Sequence, residues 1–179
     1  SRRDNLGLPP PGLHDFVLKT AEQLLRDRKV ILDAAAGIGM ISSKLYNNGH
    51  SIYAMDIEPP NFIFPFEYIK FDMNQSGYPY NDAFFDLVFS IETLEHLYSP
   101  VIAIREFSRL LKAGGYAVIS TPNVQSLRSR LKYLLYGLPY AFKFKTLGGM
   151  DEHITPIFLN FLLQLFKETG LVMTDLKTF

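Results

Sequence analysis

Apolar positions change their period several times along the chain. Phe16, Val17, Ala21, Leu24 and Leu25 recur at helical spacing and predict a capping helix from about His14 to Arg28, after the stop Pro9-Pro10-Pro11-Gly12. Val30-Ile31-Leu32-Asp33 reads as a short buried strand ending in an acid. The small residues Ala34 to Gly39 turn the chain, and Ile41 and Leu45 open a helix that Gly49 ends. Ser51 to Asp56 and Glu67 to Asp72 repeat the pattern of a strand closed by an acid. Between them Pro59, Pro60 and Pro65 leave little room for a crossover helix and predict a loop or single turn. A fourth strand, Phe84 to Ser90, precedes a helix from Pro100 to Lys112, which Gly114-Gly115 stops. A fifth strand follows at Tyr116 to Ser120, then a helix from about Pro156 to Lys167 and a last strand from Leu171 to Leu176. Strands alternating with helices predict a single α/β domain over 1–179, with a mostly parallel sheet and helices on both faces. Residues 124–150 have no place in that alternation and read as an insertion or lid.

The chain has 179 residues, 18 Lys and Arg against 18 Asp and Glu, and no Cys. A formal charge of zero argues against nucleic-acid binding by bulk phosphate attraction, and 47% hydrophobic residues argue against a disordered chain. Absence of Cys removes disulfide scaffolds, thiol catalysis and thiolate metal sites, so any metal must sit on oxygen or nitrogen. No run approaches the roughly 18 apolar residues of a membrane span, and none follows Ser1-Arg2-Arg3-Asp4-Asn5 as a signal would. The expectation is a soluble, cytoplasmic protein.

Open α/β sheets bind ligands beyond the carboxyl ends of their strands. Here those ends carry Asp33 with the Gly37/Gly39 turn, Asp56, Asp72, and the stretch from Ser90 to His96. Asp56 lies 23 positions after Asp33 at the second strand's tip, where an acid can accept both hydroxyls of a ribose. A nicotinamide cofactor would use the same acid, and an oxidoreductase is therefore the competing enzyme. Its glycine fingerprint would have to be read as Gly37-Ile38-Gly39-Met40-Ile41-Ser42, with Ser in the third glycine's place. Asp33 before the turn repels phosphate and favours a cofactor with positive charge.

The segment Ile31-Leu32-Asp33-Ala34-Ala35-Ala36-Gly37-Ile38-Gly39 resembles the first motif of class I S-adenosylmethionine-dependent methyltransferases, with Ala35 in the first glycine's place. Phe85-Asp86-Leu87-Val88, Leu94-Glu95-His96-Leu97, Leu110 to Gly115 and Ser120-Thr121-Pro122-Asn123 extend the resemblance across most of the chain. They are similar to the branch that holds ubiquinone-biosynthesis O-methyltransferases and methyltransferases of polysaccharide synthesis. The resemblance implies a Rossmann-like fold and S-adenosylmethionine as cofactor. The methionine part would lie on the turn of Asp33, Ala35, Gly37 and Gly39, the ribose on Asp56 with Ile57 beside it, and the adenine amino group on Asp72, with Met73 flanking the ring. Ser90 completes the set. A domain that keeps this pocket without catalysis is an alternative from another class. The sheet of that family ends in an antiparallel hairpin, and this chain stops at Phe179 after one strand of it, so the last strand is expected to be missing.

After the fourth strand, Glu92, Glu95 and His96 fall at i, i+3 and i+4 and share one face if the stretch is helical. Two carboxylates and an imidazole can ligate Mg²⁺ or Mn²⁺, or act as a general base with an orienting acid. The spacing is similar to that which some ubiquinone-pathway and small-RNA methyltransferases use for a divalent cation, together with a later His. That implies His153, at the insertion's exit, as the fourth member of a catalytic or metal set.

From Gln125 to Tyr136 the chain reads as an amphipathic basic helix, with Leu127, Leu131, Leu134 and Leu135 on one face. Residues 107–150 hold Arg109, Lys112, Arg128, Arg130, Lys132, Lys143 and Lys145 and no acid. Three readings follow: a cover over the site, a lid that reads the acceptor, or contact with a membrane surface. Substrates in view are small molecules and glycan- or lipid-linked acceptors. Net neutrality hides an uneven distribution. From Asp56 to Glu95 there are eight acids against Lys70 alone, an acidic edge suited to a cationic sulfonium.

Overall fold

Five parallel strands form the sheet in the order β3-β2-β1-β4-β5. The computed structural model describes residues 12–25, 27, 29–61, 63–142 and 153–178. The elements are α1 (Leu13–Leu24), β1 (Val30–Ala34), α2 (Met40–Asn47), β2 (Ser51–Asp56), β3 (Glu67–Lys70), β4 (Phe85–Ile91), a 3₁₀ turn (Leu94–His96), α3 (Pro100–Leu110), β5 (Leu111–Ser120), α4 (Leu127–Tyr136) and α5 (Leu159–Thr169). Central strands are apolar on both faces because both faces are covered. Ile31 joins Val17, Ala21, Ile41, Leu45 and Phe89 under α1 and α2, whereas Leu32 and Ala34 join Ile104, Phe107, Leu162 and Leu165 under α3 and α5.

The connection from β2 to β3 contains no helix, as its prolines predict. Phe64 stacks on Phe66 and Tyr68, at 4.9 and 5.1 Å between ring centres, and Tyr46 of α2 meets Phe66 at 5.7 Å. This aromatic group covers the sheet where a crossover helix would lie. It also explains Gly39, since a Cβ there would come within 2.8 Å of the Phe64 ring.

Three expectations need correction. The helix expected to reach Lys112 ends at Leu110, and β5 begins at Leu111. Leu111 pairs with Phe85 and Tyr116 with Leu87, so Lys112 to Gly115 swell out of register as a bulge rather than standing between elements. The strand expected at 171–176 does not form. Residues 171–178 are irregular and leave Val172 and Leu176 exposed, since an extended segment without a pairing neighbour has no ladder to join. Finally, the basic stretch is partly neutralised by distant acids. Arg109 bonds Asp82 (2.6 Å) and Glu106 (2.5 Å) and the carbonyls of Tyr78 and Tyr80, Lys112 bonds Asp86 (3.0 Å), and Lys132 donates to the carbonyls of Pro139 and Phe142. Lys143 and Lys145, like Asp151 and Glu152, lie outside the described residues.

Helix α4 is capped by Ser126, whose hydroxyl accepts from the Ser129 amide, and ends at Gly137. Its orientation is unusual. Ser129 is buried, donating nothing to solvent but accepting from the Tyr140 amide, while Leu127, Leu131, Leu134 and Leu135 are 53–80% exposed. Among the described residues no helix is long and apolar enough to cross a membrane.

Candidate functional site

The register of the sheet brings the predicted strand ends to one edge. Asp33 pairs with Ala54 on one side and Phe89 on the other, and Ile91 pairs with Ser120, so the glycine turn, Asp56 and the segment after β4 emerge together.

At the turn, Ala35 takes a left-handed conformation (φ 66°), and the amides of Ala35 and Ala36 both donate to the Met55 carbonyl at 2.9 and 3.0 Å. Gly37 (φ 55°) faces open space, where an added Cβ would meet nothing within 4 Å. A ligand can therefore approach the backbone there. The Gly37 amide donates to Asp56 Oδ2 (2.9 Å), the Glu58 amide to Asp56 Oδ1 (3.1 Å), and Tyr68 Oη to the Gly37 carbonyl (2.6 Å). Asp56 is thus oriented at the β2 tip with lone pairs still available, because each carboxylate oxygen accepts more than one bond. Ile57 is exposed beside it. Asp33 is buried and accepts from Ser42 Oγ at 2.6 Å. Burial pushes its pKa up to about 6, the Ser42 bond opposes this, and the Asp56 charge adds to it.

Asp72 caps the turn after β3, its Oδ1 accepting from the amide and side chain of Asn74. Met73 is buried beneath it. Ser90 is fully buried, and its hydroxyl has no hydrogen-bond partner among the described residues. Open backbone at Gly37, carboxylates at two strand tips, a buried thioether and an orphaned hydroxyl form a donor and acceptor set that fits a nucleoside with a charged sulfur.

The acceptor side departs from the helical expectation. Only Leu94 to His96 turn, as a 3₁₀ element. Glu92 lies before it in a left-handed conformation (φ 50°), tied to β5 by Ser120, whose Oγ accepts from the Glu92 amide (3.0 Å) and donates to its carboxylate (2.8 Å). Three residues that do converge are Glu95, His96 and His153, each offering a ligand atom within 4.8 Å of the others. Glu95 Oε1 stands 3.9 Å from His96 Nε2 and 4.0 Å from His153 Nε2, and the two imidazoles meet edge-on at 4.7 Å. His153 is held there by its successors: the amides of Ile154 and Thr155 donate to the Glu95 carbonyl, and Thr155 Oγ1 to the Leu97 carbonyl (2.6 Å). Phe142 packs on the His153 ring at 5.5 Å.

Glu95 is wholly buried, and neither carboxylate oxygen has a hydrogen-bond partner among the described residues. Burial, reinforced by the Glu92 charge, raises its pKa to about 8; the nearby Thr121 hydroxyl pulls weakly the other way. A buried carboxylate beside two imidazoles fits a divalent cation in its chemistry.

A family model described as "Methyltransferase domain" matches residues 10–176. The chain belongs to this methyltransferase family. Among curated proteins it is similar to the ubiquinone biosynthesis O-methyltransferase, mitochondrial, of Dictyostelium discoideum (26% identity, 82% of this chain, 51% of the relative). It is also similar to the ubiquinone biosynthesis O-methyltransferase of Pelagibacter ubique (27%, 78% and 60%). The chain spans between half and three-fifths of those relatives' length. A solved S-adenosylmethionine-dependent methyltransferase from Archaeoglobus fulgidus shares the fold (TM-score 0.62, 18% identity, 88% of this chain, 68% of the other). Membership in the methyltransferase family implies S-adenosylmethionine as cofactor.

Several contributors are not visible in sequence patterns. Ser42 and Ser120 hold Asp33 and Glu92, Tyr68 reaches the glycine turn from β3, and Phe142 backs His153; each acts through a contact between distant segments.

Proposed function

We propose that this domain transfers a methyl group from S-adenosylmethionine to a hydroxyl oxygen of a small-molecule, sugar or lipid-linked acceptor. The observation that carries the reading is the Glu95, His96 and His153 group at the same sheet edge as the glycine turn and Asp56. When bound, the cofactor supplies a methyl already activated by the adjacent sulfonium. The chain's own work is to align the acceptor and manage its proton. Asp33, Ala35 and Gly37 receive the methionine end, with Gly39 fixing the turn from beneath. Asp56 takes the ribose hydroxyls, with Ile57 alongside, and Asp72 and Met73 take the adenine, with Ser90 offering its hydroxyl from β4. His96, half-exposed beside Glu95, would accept the proton of the acceptor hydroxyl as that oxygen becomes the nucleophile. Glu95 and His153 orient it. Glu92 braces the segment through Ser120.

In the alternative use of this group, Glu95, His96 and His153 would together hold Mg²⁺ or Mn²⁺ in place of His96 acting as base, and the ion would lower the acceptor hydroxyl's pKa. Calorimetry with S-adenosylmethionine, S-adenosylhomocysteine and NAD tests the cofactor assignment, and binding of NAD alone refutes it. Turnover on hydroxylated aromatics, sugars and lipid-linked glycans, with excess chelator and then with Mg²⁺ or Mn²⁺ restored, tests the metal. Unchanged turnover in chelator removes it. The proposal includes a lid role for residues 124–150, of which 143–150 lie outside the described residues, and a cytoplasmic setting.

We also infer that α4 rests on an anionic membrane surface. The support is its solvent-facing leucines flanked by Arg128 and Arg130, a pattern that binds interfaces by apolar burial and charge together. Sedimentation with anionic liposomes at low salt should bring the protein down, and a failure to bind removes this part.

A further inference from the structure

We infer that the end of the sheet away from the cofactor edge holds a second ligand site, built to take a small organic cation such as a methylated ammonium group. A cavity of about 200 Å³ lies there, lined by Tyr53, Glu67, Pro79, Tyr80, Asn81 and Phe84. Tyr53 is central in β2, Glu67 is the first residue of β3, and Phe84 precedes β4, so the cavity opens toward the amino ends of the strands. Asp72 lies five residues beyond Glu67, about 16 Å along an extended chain. The two sites therefore share no residue.

Two features select a cation. Aromatic rings form walls instead of a stack. Tyr53 stands nearly perpendicular to both Tyr80 (81°, 5.6 Å) and Phe84 (80°, 5.3 Å), and Phe85 closes the corner behind them. Ring faces attract cations, and the attraction grows as water is excluded. Second, Glu67 sits at the rim and forms no ion pair with a Lys or Arg among the described residues, although Arg109 and Lys112 on neighbouring elements are both paired with other acids. At about 30 Å³ per water, the space holds roughly six waters, enough for a tetramethylammonium ion. A neutral ligand of the same shape would fill the space but leave Glu67 uncompensated.

The test is a titration of the full chain with tetramethylammonium chloride at fixed ionic strength, followed by amide chemical shifts. A parallel titration uses neopentyl alcohol, which is similar in shape and uncharged. Saturable shifts around Tyr53, Glu67 and Tyr80 are expected. Glu67→Gln should weaken binding about threefold, the scale of one exposed ion pair, while leaving the affinity for S-adenosylhomocysteine unchanged. Phe84→Leu should weaken it as well, and if that variant unfolds, Glu67→Gln, a change at an exposed side chain, decides alone. Absence of saturation below about 100 mM, where association is weaker than ~1.4 kcal/mol, overturns the proposal. So does equal binding of neopentyl alcohol, or an unchanged affinity in Glu67→Gln.

Discussion

Replacing Asp33 with Asn separates what this residue does for the fold from what it does for the cofactor. Asp33 is 5% exposed and its pKa is raised from 3.8 to about 6, first by burial. A folded-state pKa above the unfolded one means that the folded protein holds the proton more tightly. The associated stability is fully present below pH 3.8 and is lost as the pH rises through about 6. Roughly two pKa units at 1.36 kcal/mol each put the cost of keeping the carboxylate ionised near 3 kcal/mol at pH 7.5. That net figure already includes the Ser42 bond to the charged form, and Asn keeps an acceptor for Ser42 Oγ. Asp33→Asn should therefore stabilise the ligand-free protein by about 1–3 kcal/mol at pH 7.5, and the two proteins should converge near pH 4. Urea unfolding at several pH values measures this. The same variant should lose more affinity for S-adenosylmethionine than for S-adenosylhomocysteine, because only the former carries the sulfonium charge. Destabilisation at pH 7.5, or a difference that does not change with pH, would refute the reasoning.

Glu95 has the same sign of linkage in a higher window. Its pKa of about 8 means that stability declines as the pH rises from about 5 toward 8, and Glu95→Gln should flatten that decline in thermal melts at pH 6 and 8.5. If this site takes Mg²⁺ or Mn²⁺, affinity for the ion should increase over the same interval in the wild type, since the carboxyl must lose its proton to ligate. Ala35 occupies a left-handed conformation that costs a non-glycine residue about 1 kcal/mol, so Ala35→Gly should be neutral or stabilising by up to ~1 kcal/mol, in contrast to Ala34→Gly inside β1, which should destabilise. Arg109→Met removes four partners of one guanidinium, and should cost about 2–4 kcal/mol in denaturant unfolding with cofactor affinity unchanged.

Local pattern made the cofactor edge legible. An acid stands at or within two residues of the end of each of the first three strands, and a parallel sheet must bring such ends to one side, so Asp33, Asp56 and Asp72 could be placed without coordinates. The missing helix between β2 and β3 was equally readable from its prolines, although the Phe64, Phe66 and Tyr68 stack that stands in for it was not. Helical spacing misled at Glu92, because the left-handed backbone there breaks the face that Glu92, Glu95 and His96 would share. Pairing His153 with Glu95 depended on family resemblance, since no periodicity connects residues 58 apart. The charge count failed in a similar way. Arg109 and Lys112 look uncompensated within their own segment, but they find Asp82 and Asp86 across the fold.

The bonds from Ile154 and Thr155 to Glu95 and Leu97 have one more consequence. They clamp the return of the chain beside the place where β5 releases it, at Ser120, which is itself bonded to Glu92. The return of the chain at His153 is thus held by backbone bonds to the site segment itself and not by the side chains of α4. Replacing the exposed leucines of α4 should therefore leave Glu95 and His153 in register, provided Phe142 keeps its packing on the His153 ring.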